Sequence, residues 1–395
     1  MSIPALTLPP HLRTIHEADY PRFSGAEMAR RRAAIGGLLR DAELDHLVFC
    51  GANRFGSAVQ WLTGWPVTAE AVGVHTPSEP DALYIQHVNH VPLARRLAAP
   101  AAIAWGGGSS IGAAIAALEH RAARAGRVGV IGPMTFEQHA SLTARFGAVT
   151  NLNRSYIRLR QIKSAEELDW MRIGSALTDQ GMRALRDGLR PGLSERDLAA
   201  MVEASYLALG GTNVIHYFGV TAMAAPDLAV PAQFVANRKV ARGDVVTAEI
   251  SAAFWEHPGQ VLRSFAVAEE PPPLYRALHA AADAAFAAVA AVLKDGAMPQ
   301  QVIDAGGVIE AAGFTIIDDL LHGYGGGYLP PVLGSRSRPS AQIPDEPFRA
   351  GMVVVIQPNV VTPDGMAGVQ TGEMVLVTKD GIEPFHAIPR GFIHV

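Results

Sequence analysis

The stretch Gly243–Phe265, GDVVTAEISAAFWEHPGQVLRSF, carries the pattern that decides the fold. Two runs rich in β-branched and aromatic residues flank a turn around residues 257–259, and this arrangement predicts a β-hairpin. Each run holds one candidate inward-facing polar residue, Glu249 in the first and Gln260 in the second, eleven positions apart. Because side chains alternate between the two faces of a strand, the hairpin can bring both to one face.

The composition limits the class of protein. The chain has 395 residues, 49% of them hydrophobic, and a formal net charge of −4. This length favours two domains with an ample core, and the near balance of charge argues against nucleic acid as a partner. We expect no membrane span and no secretory signal, since no long uncharged apolar run occurs. The single cysteine, Cys50, excludes an internal disulfide framework, so we predict a cytoplasmic protein.

The first part of the chain alternates between strand and helix patterns. The predicted strands are 47–50, 71–75, 82–85, 101–105 and 128–131, and the predicted helices are 25–42, 91–98, 113–125 and 135–145. Such alternation predicts an α/β domain. We expect the Pro-rich residues 1–23 to form a loose arm. The glycine-rich loop 106–112 is interpreted as a strand-to-helix connection rather than a nucleotide cradle, because no Lys-Ser/Thr follows it.

The second part begins with two capping boxes. Ser164 with Glu167, and Ser194 with Asp197, each predict a helix start. The helices are expected to end near 189 and 209, and further helices are predicted at 273–294 and 299–312, followed by strands 352–361 and 373–378. The expected organisation is an α/β domain over residues 1–155 and an α+β domain over residues 156–395.

The hairpin, and the junction RLRQIKSAEELDWMR at Arg158–Arg172, resemble the pita-bread group of prolidase, aminopeptidase P, methionine aminopeptidase and creatinase. The resemblance implies a creatinase-type α/β N-terminal domain and an α+β pita-bread catalytic domain with a sheet-lined cavity. In the metal-dependent members, five ligands bind two metal ions. They are two Asp on the hairpin, a His before a Gly-rich turn, a Glu before Pro, and a Glu on the last strand.

This chain has residues that match the positions of that ligand set, but most of them are of a different type. The matching positions are Glu249, Gln260, His322 in LHGYGGGYLPP, Gln357 in IQPNV, and either Gly372 or Glu373 in VQTGEMVLVT. Ungapped matching of VLVT favours Gly372. An amide carries no charge to neutralise a divalent cation, so we expect no metal and no other cofactor. Creatinase, a member without metal, hydrolyses a C–N bond by acid–base chemistry, although its base would fall near Ala232.

Proton transfer is the chemistry that these residues predict. His322 is a candidate base or acid because the ordinary pKa of imidazole lies near neutrality. Glu249 is a candidate acid, since enclosure in a cavity raises the pKa of a carboxyl group. Glu373 is the third catalytic candidate. The predicted substrate-binding residues are Gln260, Gln357, Arg263, His216, Tyr217, Tyr324, Tyr328 and Trp65.

Structural roles remain open for several of them. Arg263 can pair with Glu249 as scaffold, His216 can be a core histidine, and Tyr324 and Tyr328 can simply pack. Trp65 is predicted from the resemblance alone, because a neighbouring subunit of family dimers covers the cavity. We therefore expect a homodimer.

Four functions compete at this stage. The leading hypothesis is a metal-independent hydrolase of a C–N bond in a small amide, ureido or related compound. The alternatives are a metal-dependent Xaa-Pro-type peptidase, a lyase acting on a small substrate, and a non-enzymatic binding module. Resemblance of the fold alone does not choose among them.

Overall fold

The computed structural model describes residues 5–98 and 101–395, which divide into two compact units. One unit is residues 18–160, and the other combines the residues up to Glu17 with 161–395. Of the loose arm expected over residues 1–23, Pro10–His16 instead form helix α1 with Leu12 buried, and residues 1–4 lie outside the described residues. A proline in the first turn is compatible with a helix start, and the buried leucine anchors the segment.

The unit of residues 18–160 is an α/β domain, as predicted. Its helices are α2 (Gly25–Asp41), α3 (Ala58–Thr63), α4 (Val91–Leu97), α5 (Ser110–His120), α6 (Phe136–Phe146) and α7 (Asn153–Gln161). Its strands are β1 (His46–Ala52), β2 (Glu70–His75), β3 (Asp81–Ile85), β4 (Ala101–Trp105), β5 (Val128–Ile131) and β6 (Thr150–Asn151). They form one mixed sheet in the order β4-β3-β2-β1-β5-β6. The glycine-rich loop connects β4 to α5, with Ser109 as the helix cap.

The helices of the second unit begin where the capping boxes predicted. The side chains of Ser164 and Ser194 accept hydrogen bonds from the backbone of Glu167 and Asp197, whose carboxylates accept in return. Besides α1, the helices are α8 (Ala165–Gly188), α9 (Glu195–Leu207), α10 (Pro273–Val292), α11 (Pro299–Gly306) and α12 (Val308–Ala311). Within the described ranges, no helix is long and apolar enough to cross a membrane.

The strands of this unit build a large sheet and a small one. They are β7 (Thr212–Ala222), β8 (Asp244–Phe254), β9 (His257–Pro258), β10 (Val261–Ala266), β11 (Thr315–Ile316), β12 (Leu321–Tyr324), β13 (Tyr328–Leu333), β14 (Val353–Ile356), β15 (Asn359–Val361), β16 (Gly368–Gln370), β17 (Gly372–Val377), β18 (Ile382–Pro384) and β19 (Ile393–His394). The large sheet has the core order β13-β12-β14-β17-β10-β8-β7, and the small one the order β11-β15-β16.

The predicted hairpin is present, with its tight turn two residues earlier than expected. Phe254 pairs with His257, and the two residues between them, Trp255 and Glu256, have φ of 44° and 68°. Two-residue hairpin loops require this left-handed conformation. The chain then continues into β10, which pairs antiparallel with β8.

The register of three strands assigns side chains to faces. Leu262 of β10 lies opposite Glu249 on one side and Gly372 on the other. Its neighbour Val261 lies opposite Ile250 and Glu373. Directly opposite residues share a face and successive residues alternate. Glu249 and position 372 therefore share one face of the sheet, and Glu373 lies on the other.

Candidate active site

The hairpin joins the two polar residues that the sequence singled out. Nε2 of Gln260 donates a hydrogen bond of 2.7 Å to Oε1 of Glu249. Both side chains are buried, with 7% of Glu249 and none of Gln260 exposed. The amide of Gln370 on β16 also acts on Glu249, slightly lowering the pKa of its carboxyl group. A buried carboxylate with amide partners is thus the centre of the site.

Two further residues from the predicted set continue this contact. Gln357, which follows β14, has its Oε1 3.5 Å from Nε2 of Gln260 and 3.3 Å from Nε2 of His322. Four positions that carry metal ligands in the resembling family therefore adjoin one another here as Glu249, Gln260, Gln357 and His322. The distances between their contacting side-chain atoms run from 2.7 to 3.5 Å.

Burial fixes the ionisation of His322. Its ring is fully buried, stacks on Tyr328 with centroids 3.7 Å apart, and meets Tyr324 edge-on at 5.5 Å. Burial lowers the pKa of His322 to about 4, so the ring is neutral at pH 7. Nδ1 lies 3.0 Å from the carbonyl oxygen of Gly323 and must donate to it. Nε2 is then an acceptor that faces the side chain of Gln357.

Glu249 has the opposite shift. Burial, and secondarily the charge of Asp318, raise the pKa of its carboxyl group to about 7. Protonated and ionised forms are thus present in similar amounts near neutral pH. A group poised in this way can accept a proton in one step and return it in the next.

A cavity of about 410 Å³ opens beside Glu249. Tyr217 and Tyr328 contribute aromatic rings, and Asn359 and Gln370 contribute amides. The remaining lining residues are Ile215, Val230, Pro231, Gln233, Ile317 and Asp318. This volume is within the range of small-molecule sites. None of these lining side chains carries a positive charge, so the cavity is acidic.

Sequence reasoning missed four polar residues near this cavity. Asp318 and Asp319 are separated from the start of β12 by Leu320, and burial, followed by interaction with Asp318, raises the pKa of Asp319 to about 8. Asn359 and Gln370 lie directly opposite each other in the small sheet. The available signal was proximity to the recognised motifs, because Asn359 follows Gln357 by two residues and Gln370 precedes Gly372 by two.

Arg263 and Glu373 lie on the opposite face of the sheet from Glu249, which corrects the roles predicted for both. The guanidinium of Arg263 donates to Oε2 of Glu373 at 2.6 Å. Its other N–H groups donate to backbone carbonyls of Leu262, Gly372, Ile388 and Pro389. Arg263 therefore has no donor left for a substrate, and its ion-pair partner is Glu373 rather than Glu249.

His216 and Trp65 are also placed away from the cavity. His216 lies between Ile215 and Tyr217, both of which line the cavity, so strand alternation directs it to the other face. Its Nδ1 lies 3.0 Å from Oε1 of Glu203. Trp65, which belongs to the unit of residues 18–160, is 1% exposed. A buried indole offers no surface to a neighbouring subunit, so its predicted role as a wall is corrected.

The predicted tyrosines have separate positions. Tyr217 and Tyr328 line the cavity, as a substrate-binding role requires. Tyr324 is buried, and its hydroxyl lies 2.8 Å from Oγ of Ser251. It supports the ring of His322 instead of facing the cavity, so packing explains its position.

The residues present do not fit a dinuclear metal centre. Two ligand positions hold neutral amides, and Gly372 occupies the cavity-side position that carries a carboxylate in the resembling family. A Cβ at Gly372 would lie 2.5 Å from the carbonyl oxygen of Ile356, so no side chain fits there. Within residues 5–98 and 101–395, no cluster of three or more His, Cys, Asp or Glu side chains could hold a metal ion.

Comparisons with known proteins identify the group. The sequence model of metallopeptidase family M24 matches residues 169–379. An uncharacterised peptidase of Staphylococcus haemolyticus is 24% identical over 264 residues, covering 63% of this chain and 70% of that protein. The Xaa-Pro dipeptidase of Pyrococcus furiosus is 25% identical over 227 residues, covering 56% of this chain and 62% of that protein.

Solved structures show the same fold over nearly the whole chain. The Xaa-Pro dipeptidase of Bacillus anthracis superposes with a TM-score of 0.79 at 18% identity, covering 93% of this chain and 100% of that one. This similarity confirms the predicted combination of an α/β N-terminal domain with a pita-bread domain. The family model matches more than half of the residues, and the protein belongs to metallopeptidase family M24.

Proposed function

We propose that this protein is a metal-independent hydrolase of a C–N bond in a small amide or ureido compound. The hydrolase class follows from the family. The observation that carries the finer proposal is Glu249, a buried carboxyl group with a pKa of about 7 that borders the cavity. It stands where the family has a metal ligand, and its partners are amides.

In the proposed reaction, Glu249 moves one proton twice. Its carboxylate accepts a proton from a water molecule while the water oxygen bonds to the carbonyl carbon of the substrate. The C–N bond then breaks, and the protonated Glu249 returns the proton to the leaving nitrogen. The products are a carboxylic or carbamic acid and an amine, and Glu249 is again ionised. General acid–base catalysis of this kind contributes roughly 10²–10⁴-fold to the rate.

Two tyrosines are proposed to stabilise the negative oxygen that forms in this step. The side chains of Tyr217 and Tyr328 line the cavity with Glu249. Tyr328 is half-exposed, and a phenol keeps its proton near neutral pH, so its hydroxyl remains a donor. Donors fixed in place before the reaction stabilise a developing oxyanion without reorganisation.

His322 is assigned a positioning role. It is covered by the ring of Tyr328 and is absent from the residues that line the cavity. The neutral Nε2 faces Gln357, whose own Nε2 has no hydrogen-bond partner. Rotation of that amide pairs its N–H with Nε2 of His322 and gives up the 3.5 Å contact with Nε2 of Gln260, so His322 determines the orientation of Gln357. Replacing His322 by alanine is therefore expected to reduce turnover less than replacing Glu249 by glutamine.

The proposal is tested by turnover after exhaustive chelation. A panel of dipeptides, including Xaa-Pro dipeptides, and of small amides and ureido compounds supplies the substrate. Activity is expected to survive chelation and to fall by two to four orders of magnitude in Glu249→Gln. Glu270→Gln is the matched control, because Glu270 is exposed and is not among the residues that line the cavity. Equal turnover of wild type and Glu249→Gln would reject the assignment.

A metal-dependent Xaa-Pro-type peptidase is the second candidate, favoured by the activity named for the Pyrococcus furiosus relative. Metal analysis of protein purified without chelator separates the two. Stoichiometric metal, with turnover that chelation removes and metal restores, supports the peptidase and contradicts the metal-independent hydrolase. Incorporation of ¹⁸O from labelled water further separates hydrolysis from elimination by a lyase. A binding module would turn over no compound of the panel.

A further inference from the structure

The backbone N–H of Gln260 donates to a histidine ring instead of a carbonyl oxygen. Gln260 lies between β9 and β10, and its N–H is 3.3 Å from Nε2 of His386. His386 follows β18, and its side chain is fully buried. The residue whose amide contacts Glu249 is thus held by a side chain that is not among those lining the cavity.

Ordinary strand pairing would give this N–H a backbone partner. Continuing the register of β10 with β17 places Gln260 opposite Met374. The N–H of Met374 donates to the carbonyl of Gln260 at 3.0 Å, but the carbonyl of Met374 accepts from the N–H of Phe385 at 3.3 Å. Hydrogen-bonded pairs in an antiparallel sheet exchange two such bonds. Here the ring of His386 supplies the second acceptor.

This contact determines where the ring of His386 carries its proton. A backbone N–H only donates, so Nε2 must present its lone pair to Gln260. The proton of the neutral ring is then on Nδ1, which lies 2.7 Å from Oδ1 of Asp179 on α8. The other oxygen of Asp179 accepts from the backbone N–H of Ala387 at 2.7 Å. Asp179 therefore selects the tautomer in which Nε2 is an acceptor.

Gln260 transmits this constraint to Glu249. Its side-chain Nε2 donates to Oε1 of Glu249 at 2.7 Å. Burial raises the pKa of the Glu249 carboxyl group, and the hydrogen bond from Gln260 acts in the opposite direction. Because Gln260 is fully buried, a shift of its backbone displaces its amide from the carboxyl group. The position of one backbone N–H thus affects the proton affinity of Glu249.

We propose that His386, oriented by Asp179, is a positioning residue: it holds the backbone of Gln260 so that the amide of Gln260 stays directed at Glu249. Neither His386 nor Asp179 is among the residues that line the cavity, so both act through Gln260. The inference rests on the proposed function in treating Glu249 as the group that transfers the proton.

The segment after β18 has other anchors, which separates this role from simple support of the fold. Arg263 donates to the carbonyls of Ile388 and Pro389 at 2.7 and 3.0 Å. Ala387 is bound through its backbone N–H. These contacts hold the segment without the imidazole of His386. What the ring adds is an acceptor for the N–H of Gln260.

Three substitutions isolate that acceptor. His386→Gln keeps an oxygen at the position of Nε2, which accepts from Gln260. His386→Asn keeps a contact with Asp179 but ends short of Gln260. In Asp179→Asn the amide oxygen has to face the N–H of Ala387, so its NH₂ group faces Nδ1 of His386. The ring proton then moves to Nε2, against the N–H of Gln260.

The readout is the protonation midpoint of Glu249, measured by infrared titration of its carboxyl band. Comparing each variant with the same variant carrying Glu249→Gln identifies the band. His386→Asn and Asp179→Asn are each expected to raise the midpoint by up to about one pH unit, since one hydrogen bond changes an equilibrium up to roughly tenfold. At pH 7 their kcat is expected to fall about three- to tenfold with KM unchanged. His386→Gln is expected to match the wild type.

His279→Asn is the matched control. His279 is also a buried histidine whose Nδ1 lies 3.1 Å from a carboxylate, that of Asp283, and it is not among the residues that line the cavity. Its loss is expected to lower the unfolding temperature without moving the midpoint of Glu249. Thermal unfolding of each variant verifies that it is folded.

Each outcome decides the inference. An unchanged midpoint in folded His386→Asn and Asp179→Asn would overturn it, as would equal effects of His386→Gln and His386→Asn. If neither asparagine variant folds, ¹⁵N NMR of the wild-type ring decides: a proton on Nδ1 alone supports the inference, and a proton on Nε2 overturns it. Turnover that depends on Glu249 but not on His386 would reject this inference alone. A shifted midpoint without turnover of any compound would reject the proposed function alone.

Discussion

Glu249 and Glu373 are buried carboxylates on the two strands that flank β10, and they face opposite sides of one sheet. Glu373 is paired with two arginines, through Oε2 to Arg263 at 2.6 Å and through Oε1 to Arg390 at 3.0 Å. Glu249 accepts a hydrogen bond from the neutral amide of Gln260, and the neutral amide of Gln370 also acts on its pKa. The two glutamates thus differ in the charge of their partners.

This difference separates structural support from chemistry. Arginine partners occupy both oxygens of Glu373, so neither oxygen is free to contact a substrate. Amide partners leave the cost of burying charge on Glu249 uncompensated, which raises the pKa of its carboxyl group. The proposed function and the experiments below depend on this contrast.

The largest effect on stability is expected from Arg263→Met. All five N–H groups of this fully buried guanidinium donate within the protein. Removing it leaves Glu373 as a buried charge without its closest partner. Breaking a buried pair in this way costs about 3–5 kcal/mol of unfolding free energy. Urea denaturation at pH 7 measures the loss.

Glu249→Gln is the matched change on the other face. It replaces a buried carboxyl group by an amide of equal size. Glu249 has no cationic partner that would lose an ion pair, so no loss of stability is expected at pH 7. A destabilisation of Glu249→Gln as large as that of Arg263→Met would show that the two glutamates have the same structural role, and would break the comparison.

The sequence predicted the local parts of this arrangement. The hairpin, the two capping boxes and the pairing of Glu249 with Gln260 depend on patterns within about a dozen residues, and such patterns are visible without a structure. The positions of the family's metal ligands also predicted that Gln357 and His322 lie near Glu249 and Gln260. These four residues come together in the structure.

Contacts between distant strands were not predictable. Glu373 differs from Gly372 by one position, and a shift of one residue moves a side chain to the opposite face. Only the pairing of Gly372 with Leu262 resolves which of them faces the cavity. Asn359 and Gln370 were missed for the same reason, because strand pairing brings them to Glu249 from separate parts of the chain.

Glu249 is expected to make the stability of the protein depend on pH. The pKa of Glu249 rises from its ordinary 4.5 to about 7 on folding, so folding favours the protonated form. Its contribution to stability is complete below pH 4.5 and is lost as pH rises through 7. A tenfold change in the proton affinity of a group corresponds to about 1.4 kcal/mol. Relative to wild type, Glu249→Gln is therefore expected to gain up to about 3 kcal/mol between pH 4 and pH 8.

Because His322 also titrates on folding, the unfolding free energy of Glu249→Gln has to be compared with that of the wild type at each pH. Its pKa falls from 6.5 to about 4 on folding, so its contribution to stability is lost as pH decreases through that interval. The two trends oppose each other in the wild-type protein. Subtracting the unfolding free energy of wild type from that of Glu249→Gln at each pH removes the contribution of His322. A difference that does not change between pH 4 and pH 8 would contradict the raised pKa.

The smallest effect is expected from Arg390→Gln, which tests the second partner of Glu373. The side chain of Arg390 is 44% exposed, and ion pairs that reach solvent contribute less than about 1 kcal/mol. The loss should shrink further at high salt, because salt screens exposed charges more than buried ones. Urea denaturation at low and high ionic strength measures both quantities. If Arg390→Gln lost as much unfolding free energy as Arg263→Met, both arginines would neutralise the charge of Glu373 equally. Burial of Arg263 would then not explain why Glu373 has a structural role.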